Sequence, residues 1–355
     1  MNRIRVLTVD DSALMRNILS AVINQQPDME VVGTAPDPLI AREMIKQLNP
    51  DVLTLDIDMP KMNGLEFLSR LMRLRPMPVV MISSMTTRGS KATLAALEHG
   101  AVDFLPKPDQ RAGGDLEHWG AMVVDKLRIA ARAKIGRLGE NQQPMLRGFV
   151  PVNPQNIMAI GSSTGGTEAL RRVLMPLPPN VPGIVIAQHM PAGFTRSFAQ
   201  RLDSLCQISV HEAQDGEPVH SGVALIAPGD KHMEIVRQGK GYVVSLNDTA
   251  PVNRHRPSVD VLFNSVAKQA GKLASAAILT GMGNDGAHGL LALRKAGAFT
   301  LAQSEATCVV FGMPREAIAL EAAQDIVDLD NISLRLLESF THNKTRYSGE
   351  NTNVR

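Results

Sequence analysis

The segment Val52-Leu53-Thr54-Leu55-Asp56-Ile57-Asp58-Met59-Pro60 decides the reading of the first third of the chain. A near-continuous apolar run stops at a carboxylate, and a helical pattern opens at Gly64 and continues to Leu74. The same unit recurs on both sides. Strands are expected at Ile4–Val9, Glu30–Gly33, Val52–Leu55, Pro78–Ile82 and Val102–Leu105. Helices are expected at Ala13–Gln25, Pro38–Leu48, Gly64–Leu74, Ser90–His99 and from Leu116 to Ala133. Apolar strands alternating with amphipathic helices indicate a parallel sheet covered on both faces. Residues 1–125 therefore predict a doubly wound α/β domain of five βα units.

The rhythm lapses from Lys134 to Asn156, where Gly136, Gly139, Pro144, Gly148, Pro151 and Pro154 mark a linker. Residues 126–155 thus hold the end of the last helix and this linker, and a second domain is expected over 156–342. Its strands read as Ile157–Ile160, Gly183–Gln188, Ile208–Glu212, Val223–Ala227, His232–Arg237, Tyr242–Leu246, Ser275–Leu279 and Phe299–Ala302. Its helices read as Thr167–Leu174, Thr195–Leu205, Ser258–Ala270, Ala287–Ala296, Pro314–Ala319 and Leu334–Phe340. The pattern predicts a mostly parallel α/β sheet with a small antiparallel hairpin around Gly239-Lys240-Gly241. Residues 343–355 are polar and are expected to be disordered.

Composition narrows the function classes. The 355 residues are 44% hydrophobic and 20% charged, enough apolar side chain for two cores. A net charge of +2 without a basic stripe argues against nucleic acid as a partner. The αβ rhythm also disfavours a DNA-binding output module, which would need a basic recognition helix. Two cysteines, Cys206 and Cys308, cannot frame a disulfide scaffold and suit a reducing, cytoplasmic setting. Cys206 reads as a buried helix residue and Cys308 as a small hydrophobe. No apolar run is long enough to insert into a membrane, and the N-terminus does not read as a signal peptide.

In an open parallel sheet, ligands gather at the carboxyl ends of the strands. Asp10 and Asp11 follow the first strand, Asp56 ends the third, Ser83 ends the fourth, and Lys107 follows the fifth. Carboxylates converging there call for a hard divalent cation, and all-oxygen ligation suits Mg²⁺. With a lysine and a hydroxyl, the edge is suited to receiving a phosphoryl group. Val9-Asp10-Asp11-Ser12, Leu55-Asp56-Ile57-Asp58-Met59-Pro60, Ser83 and Lys107-Pro108 resemble a response-regulator receiver domain. The resemblance implies that Asp56 takes phosphate from a histidine kinase, that Asp10, Asp11 and Asp56 hold the metal, and that Ser83 and Lys107 form the switch.

In the second half, the strand Ile157–Ile160 runs into Gly161-Ser162-Ser163-Thr164-Gly165-Gly166 before a helix. Read as G-x-S-x-G, the loop exposes Ser163 on a strand-to-helix turn and supplies amide donors for an oxyanion. A phosphate-binding loop of a nucleotide or ligand module is the rival, although the Walker and dinucleotide glycine spacings are absent. His189 ends the strand Gly183–Gln188, and Asp285 lies past the strand Ser275–Leu279. Asp285 taken singly reads equally well as a cap of the next helix. Together Ser163, His189 and Asp285 supply nucleophile, general base and orienting carboxylate.

These segments, with Gln188-His189-Met190-Pro191, Ala227-Pro228-Gly229, Asn253–Asp260 and Leu279–Gly286, resemble the chemotaxis protein-glutamate methylesterases along nearly the whole chain. The resemblance implies demethylation of glutamate γ-methyl esters on chemoreceptors, with deamidation of receptor glutamines. It makes Ser163 the nucleophile, His189 the base and Asp285 its partner, with Thr164, Gly165 and Met282 shaping the substrate and oxyanion vicinity. Ester hydrolysis is expected to need no cofactor, Mg²⁺ belonging to the receiver. Ser162 stands where a small apolar residue is expected. His255, between Arg254 and Arg256, reads as part of a solvated basic loop, and His232 has no partner visible in the sequence. The linker is expected to let the unphosphorylated receiver limit access to the hydrolytic site.

Overall fold

The computed structural model describes residues 3–84, 86–108, 116–133, 135, 146 and 153–342. The chain divides into two units, residues 1–139 and 140–355, each with its own sheet. The first unit alternates β1 (Ile4–Val9), α1 (Ala13–Asn24), β2 (Met29–Ala35), α2 (Pro38–Leu48), β3 (Val52–Asp56), α3 (Gly64–Leu74), β4 (Val79–Ser83), α4 (Thr87–Glu98), β5 (Asp103–Pro106) and α5 (Leu116–Ala130). Its parallel sheet has the order β2-β1-β3-β4-β5. The expected end at residue 125 falls inside α5, whose Trp119, Val123, Val124 and Leu127 are buried, so the first unit continues through that helix.

The helix starts follow short polar side chains. Ser12, Asp37, Asn63 and Thr86 each accept a backbone N–H from the first turn of the helix that follows. That cap explains why α4 begins at Thr87 rather than at the expected Ser90: Thr86 Oγ1 accepts from Gly89 N at 2.9 Å. The strand β2 outruns the expected Glu30–Gly33 because a register shift opposite Val6 and Leu7 lets pairing continue to Ala35.

The second unit contains β6 (Ile157–Ser162), α6 (Gly166–Leu174), β7 (Gly183–Gln188), α7 (Thr195–Asp203), β8 (Ser209–Glu212), β9 (Val223–Ile226), β10 (His232–Gln238) and β11 (Gly241–Asn247). It continues with α8 (Val259–Gln269), β12 (Ala274–Ile278), α9 (Ala287–Lys295), β13 (Phe299–Gln303), α10 (Met313–Ala319), β14 (Asp325–Val327) and α11 (Ile332–His342). Seven parallel strands form one sheet in the order β14-β13-β12-β6-β7-β9-β8. The expected hairpin is present as β10 and β11, which form a separate two-stranded sheet packed against α8. Edge strand β14 was not expected: three residues, Ile326 exposed, carry no legible period. Cys206 is half-buried and lies beyond the end of α7 rather than within a helix, whereas Cys308 is buried as expected.

The core of this unit joins Ile157, Val185, Leu225, Leu262, Phe263, Val266, Leu290 and Leu293, all fully buried. Each such side chain contributes roughly 1.5–3 kcal/mol relative to exposure. Both sheets have the same functional geometry. Each reverses its strand order beside the first strand, between β1 and β3 in one and between β6 and β12 in the other. Loops diverge there and leave a crevice at the strands' carboxyl ends. Among the described residues, no helix is long and apolar enough to cross a membrane. The linker lies largely, and residues 343–355 wholly, outside the described residues.

Candidate functional site

In the first unit, adjacent strands β1 and β3 deliver Asp10 and Asp56 to the crevice. One carboxylate oxygen from each of Asp10, Asp11 and Asp56 lies within 4.8 Å of the others, with Asp11 exposed and the other two buried. Asp11 does not cap α1, a role taken by Ser12. Asp10 Oδ1 accepts from Ser12 N at 2.9 Å, and Asp56 Oδ1 accepts from Ile57 N at 2.8 Å. The Lys107 ammonium lies 3.0 Å from Asp10 Oδ2 and 2.9 Å from Asp56 Oδ2. Apart from that ammonium, these two buried oxygens have no hydrogen-bond partner among the described residues. Buried oxygens with spare lone pairs beside an exposed carboxylate fit a hard, oxygen-seeking divalent cation.

Burial pushes the Asp56 carboxyl up to about 6, and the Asp10 charge adds to it, against the opposing pull of Lys107. Burial disfavours the Lys107 ammonium, yet its carboxylate neighbours outweigh that and raise its pKa above the ordinary lysine value. Ser83 pairs with Pro106 across β4 and β5, and Lys107 N donates to Ser83 O at 2.7 Å. The five expected residues of this edge are therefore brought together.

In the second unit, strands β6, β7 and β12 end nearly level. Ser162 pairs with Gln188, and Gly161 with Ile278. Ser163 N donates to Thr280 O and His189 N to Ser162 O, each at 3.0 Å. The turn after β6 is tight: Gly165 has φ +78° and caps α6 without a side chain, and the first helical amide, Gly166 N, donates to Ser163 O at 2.7 Å. Gly281 must stay small, since a Cβ there would lie 2.7 Å from Ser163 Cβ. Met282 follows at the surface, and buried Thr164 accepts from Thr280 Oγ1 through its carbonyl at 3.0 Å.

His189 Nε2 lies 2.8 Å from Asp285 Oδ2, with both side chains buried. Burial pulls the Asp285 carboxyl upward, but hydrogen bonds from His189, Asn253 and Ser258 outweigh it and hold the pKa well below the usual carboxylate range. Asp285 does not cap α9. It accepts instead from Ser258 Oγ at 2.7 Å and from Val259 N at 2.6 Å, at the start of α8, where the helix dipole also favours an anion. An ionised Asp285 requires the imidazole proton on Nε2, leaving a lone pair on Nδ1. That Nδ1 is buried and has no hydrogen-bond partner among the described residues. Ser163 is half-buried, and among the described residues its hydroxyl makes no hydrogen bond to His189.

The structure separates the two neighbouring serines. Ser162 is fully buried and donates to Gln188 Oε1 at 2.6 Å, while Gln188 Nε2 donates to Ser163 O at 3.0 Å and His189 O at 3.1 Å. Gln188 thus braces both strand tips, a role the sequence reading missed although the residue stood in its motif. His232 finds partners in Ser258 N and Ala250 O and is a buried structural residue. The reading of His255 as a solvated loop residue is overturned: its ring stacks on His189 with centroids 3.7 Å apart and 11° between planes. Asn253, Ser258 and Asp260 were likewise unassigned, and only their place in one motif-bearing segment singled them out.

Comparison with known proteins adds an independent finding. Residues 158–336 match the CheB methylesterase family model, and residues 6–113 match the response regulator receiver domain model. A protein-glutamate methylesterase/protein-glutamine glutaminase of Pectobacterium atrosepticum is 58% identical over 95% of this chain and 97% of its own length. Its counterpart in Salmonella typhimurium is likewise 58% identical, with 95% and 97% coverage. The solved methylesterase catalytic domain of Thermotoga maritima CheB is 40% identical over 53% of this chain and 99% of that one, with a TM-score of 0.51.

Proposed function

The chain belongs to the CheB methylesterase family and carries a response-regulator receiver, and from that premise we propose how its own residues perform regulated hydrolysis. The substrate is a γ-methyl-esterified glutamate on a cytoplasmic chemoreceptor segment. Ser163 Oγ attacks the ester carbonyl while His189 Nδ1 takes its proton. Asp285 keeps the other ring proton on Nε2 and stabilises the imidazolium that forms. The tetrahedral oxyanion faces the amides of the Gly165 turn and the Met282 segment, where the uncapped start of α6 favours negative charge. His189 returns its proton to the methoxy oxygen, and methanol departs. Water, deprotonated by the same Nδ1, then attacks the Ser163 acyl ester; the proton passes from Nδ1 to the departing Ser163 Oγ, and the released glutamate side-chain acid ionises to its carboxylate. A glutamine side chain follows the same course with ammonia as leaving group. Ser163, His189, Asp285 and water suffice for both.

Regulation is assigned to the first unit. Asp56 accepts a phosphoryl group from a histidine kinase, with Lys107 and Ser83 meeting the transferred oxygens. Asp10, Asp11 and Asp56 would hold Mg²⁺, which neutralises phosphoryl charge when bound. The buried His189–Asp285 pair, with an Nδ1 that has no hydrogen-bond partner among the described residues, supports hydrolysis over a ligand-binding module, which would have no use for it. The test is serine-directed labelling by a fluorophosphonate probe, read by intact mass, alongside methanol release from methylated receptor. Wild type should gain one adduct and release methanol, and Ser163→Ala should do neither. An unlabelled wild type that releases no methanol would favour the ligand module.

A further inference from the structure

The segment Val252-Asn253-Arg254-His255 lies outside every catalytic role assigned above, yet it touches both members of the His189–Asp285 pair. Val252 N donates to His255 O at 3.1 Å, and His255 N returns a bond to Val252 O at 2.9 Å. Between them Asn253 and Arg254 have φ +52° and +68°. Two successive left-handed residues closed by reciprocal bonds make a type I′ turn, for which Asn is favoured at the first central position. The second central position is usually Gly, so Arg254 carries conformational strain of the kind concentrated at functional sites.

Each side of the turn ends on the catalytic pair. Asn253 Nδ2 donates to Asp285 Oδ1 at 2.8 Å and to Asp260 Oδ2 at 2.9 Å. Only the amide nitrogen suits a position between two carboxylates, which fixes the orientation of the amide. His255 lays its ring flat on His189 at 3.7 Å. Just beyond, Arg256 anchors the turn: Nε donates to Asp230 Oδ1 at 2.9 Å, and Nη1 donates to Asp248 O at 2.7 Å.

We propose that the Val252–His255 turn is a clamp for the known reaction, in which Asn253 and His255 are positioning residues acting through Asp285 and His189. Asn253 stops the carboxylate from rotating about its bond to His189. His255 fixes the imidazole plane, and with it the direction of the Nδ1 lone pair. The physical need is plain, because among the described residues Nδ1 has no hydrogen-bond partner to orient it. Proton transfer depends steeply on that direction. The inference rests on the Ser163–His189–Asp285 reading above.

The test is steady-state hydrolysis of methylated receptor by the full-length protein, with melting temperature and the far-downfield proton signal of the His189–Asp285 hydrogen bond recorded for each variant. Asn253→Gly keeps the turn and removes the amide. It should lower kcat on the order of 10²-fold with KM unchanged, and shift or broaden the proton signal. Asn253→Asp keeps both turn propensity and size while replacing the donor with a charge. It should fall at least as far, which serves if the glycine variant does not fold. His255→Ala should lose about 10-fold in kcat, and His255→Phe, which restores a flat ring, should recover most of it. Ser163→Ala is run in parallel. If it is inactive while folded Asn253 and His255 variants stay within about twofold of wild type, the clamp is wrong and the nucleophile assignment stands. Equal losses in His255→Phe and His255→Ala would exclude stacking as the means. An active Ser163→Ala would remove the reading on which the clamp rests.

Discussion

Asp56 and Asp285 occupy equivalent places in two different sheets and are treated in opposite ways. Each is a nearly inaccessible carboxylate at the carboxyl end of a parallel sheet, beside its switch point. Asp285 is surrounded by donors from His189, Asn253, Ser258 and Val259, and stays ionised far below the usual range. Asp56 is left with one buried oxygen whose only neighbouring cation among the described residues is Lys107, and burial pushes its pKa to about 6. A carboxylate that must stay an ion to steer an imidazole is saturated with hydrogen bonds. One proposed to receive a cation and a phosphoryl group is kept unsatisfied. Number of donors, rather than depth of burial, separates the two roles.

The largest test of this contrast is catalytic. Ser163→Ala and His189→Ala should each lower turnover by roughly 10⁶-fold, as expected when a nucleophile or its base is lost. Asp285→Asn should lose on the order of 10⁴-fold, because an amide cannot hold the proton on Nε2. Stopped-flow or methanol-release assays on methylated receptor measure all three. A loss of only a few-fold in Asp285→Asn would show that its hydrogen bonds serve folding alone.

The same two aspartates should respond oppositely in stability. For Asp56 the folded pKa lies above the unfolded value, so the native state binds more protons and stability falls as pH rises from about 4 through about 6. Asp56→Asn removes that penalty. Without Mg²⁺ at pH 7 it should melt higher than wild type, by an amount on the order of 3 kcal/mol at most, and the gain should vanish near pH 4. For Asp285 the folded pKa is depressed, so its contribution is present above the unfolded value near 4 and lost as pH falls below it. Asp285→Asn should therefore melt lower than wild type at pH 7. Calorimetry of both variants between pH 4 and 7 checks the signs. Matching shifts in the two would break the contrast.

Coupling between the units is expected to be smaller still. With phosphodonor and Mg²⁺, wild type should exceed Asp56→Asn by roughly 5- to 150-fold on receptor, the usual span of such couplings. A fragment beginning near Val150, with the second unit's own core, should be faster than the resting full chain if the receiver holds hydrolysis back. A fragment no faster than the resting chain would mean that the receiver acts by assistance. Equal rates for wild type and Asp56→Asn would remove the switch from Asp56.

What the sequence made legible follows from how locally each feature is encoded. The parallel strands, the acidic edge and the Ser163, His189 and Asp285 tips were readable because apolar runs ending in reactive residues need no tertiary information. Strand β14 was not, since three residues, none of them buried, pair only because β13 already stands beside them. Nor were the saturating donors of Asp285. Asn253 and Ser258 lie 32 and 27 positions away from it, and only folding discloses that its carboxylate ends on the start of α8. The His189–His255 stack is hidden for the same reason: a charged loop and a catalytic brace have the same composition.

The smallest effect concerns the neighbouring hydroxyl, and it sharpens the contrast by asking how far donor saturation extends. Ser162 donates to Gln188 Oε1 at 2.6 Å inside the sheet tip, and Gln188 in turn holds the carbonyls of Ser163 and His189. Ser162→Ala leaves that amide oxygen buried without a donor, which costs about 1–3 kcal/mol in stability. The nucleophile's own atoms are untouched, and Gln188 Nε2 keeps both of its acceptors, so turnover should stay within about 10-fold of wild type. Fluorophosphonate labelling should be retained in Ser162→Ala and absent in Ser163→Ala. The reverse pattern would place the nucleophile one residue earlier, on a hydroxyl buried at the end of β6 with no exposed surface from which to attack.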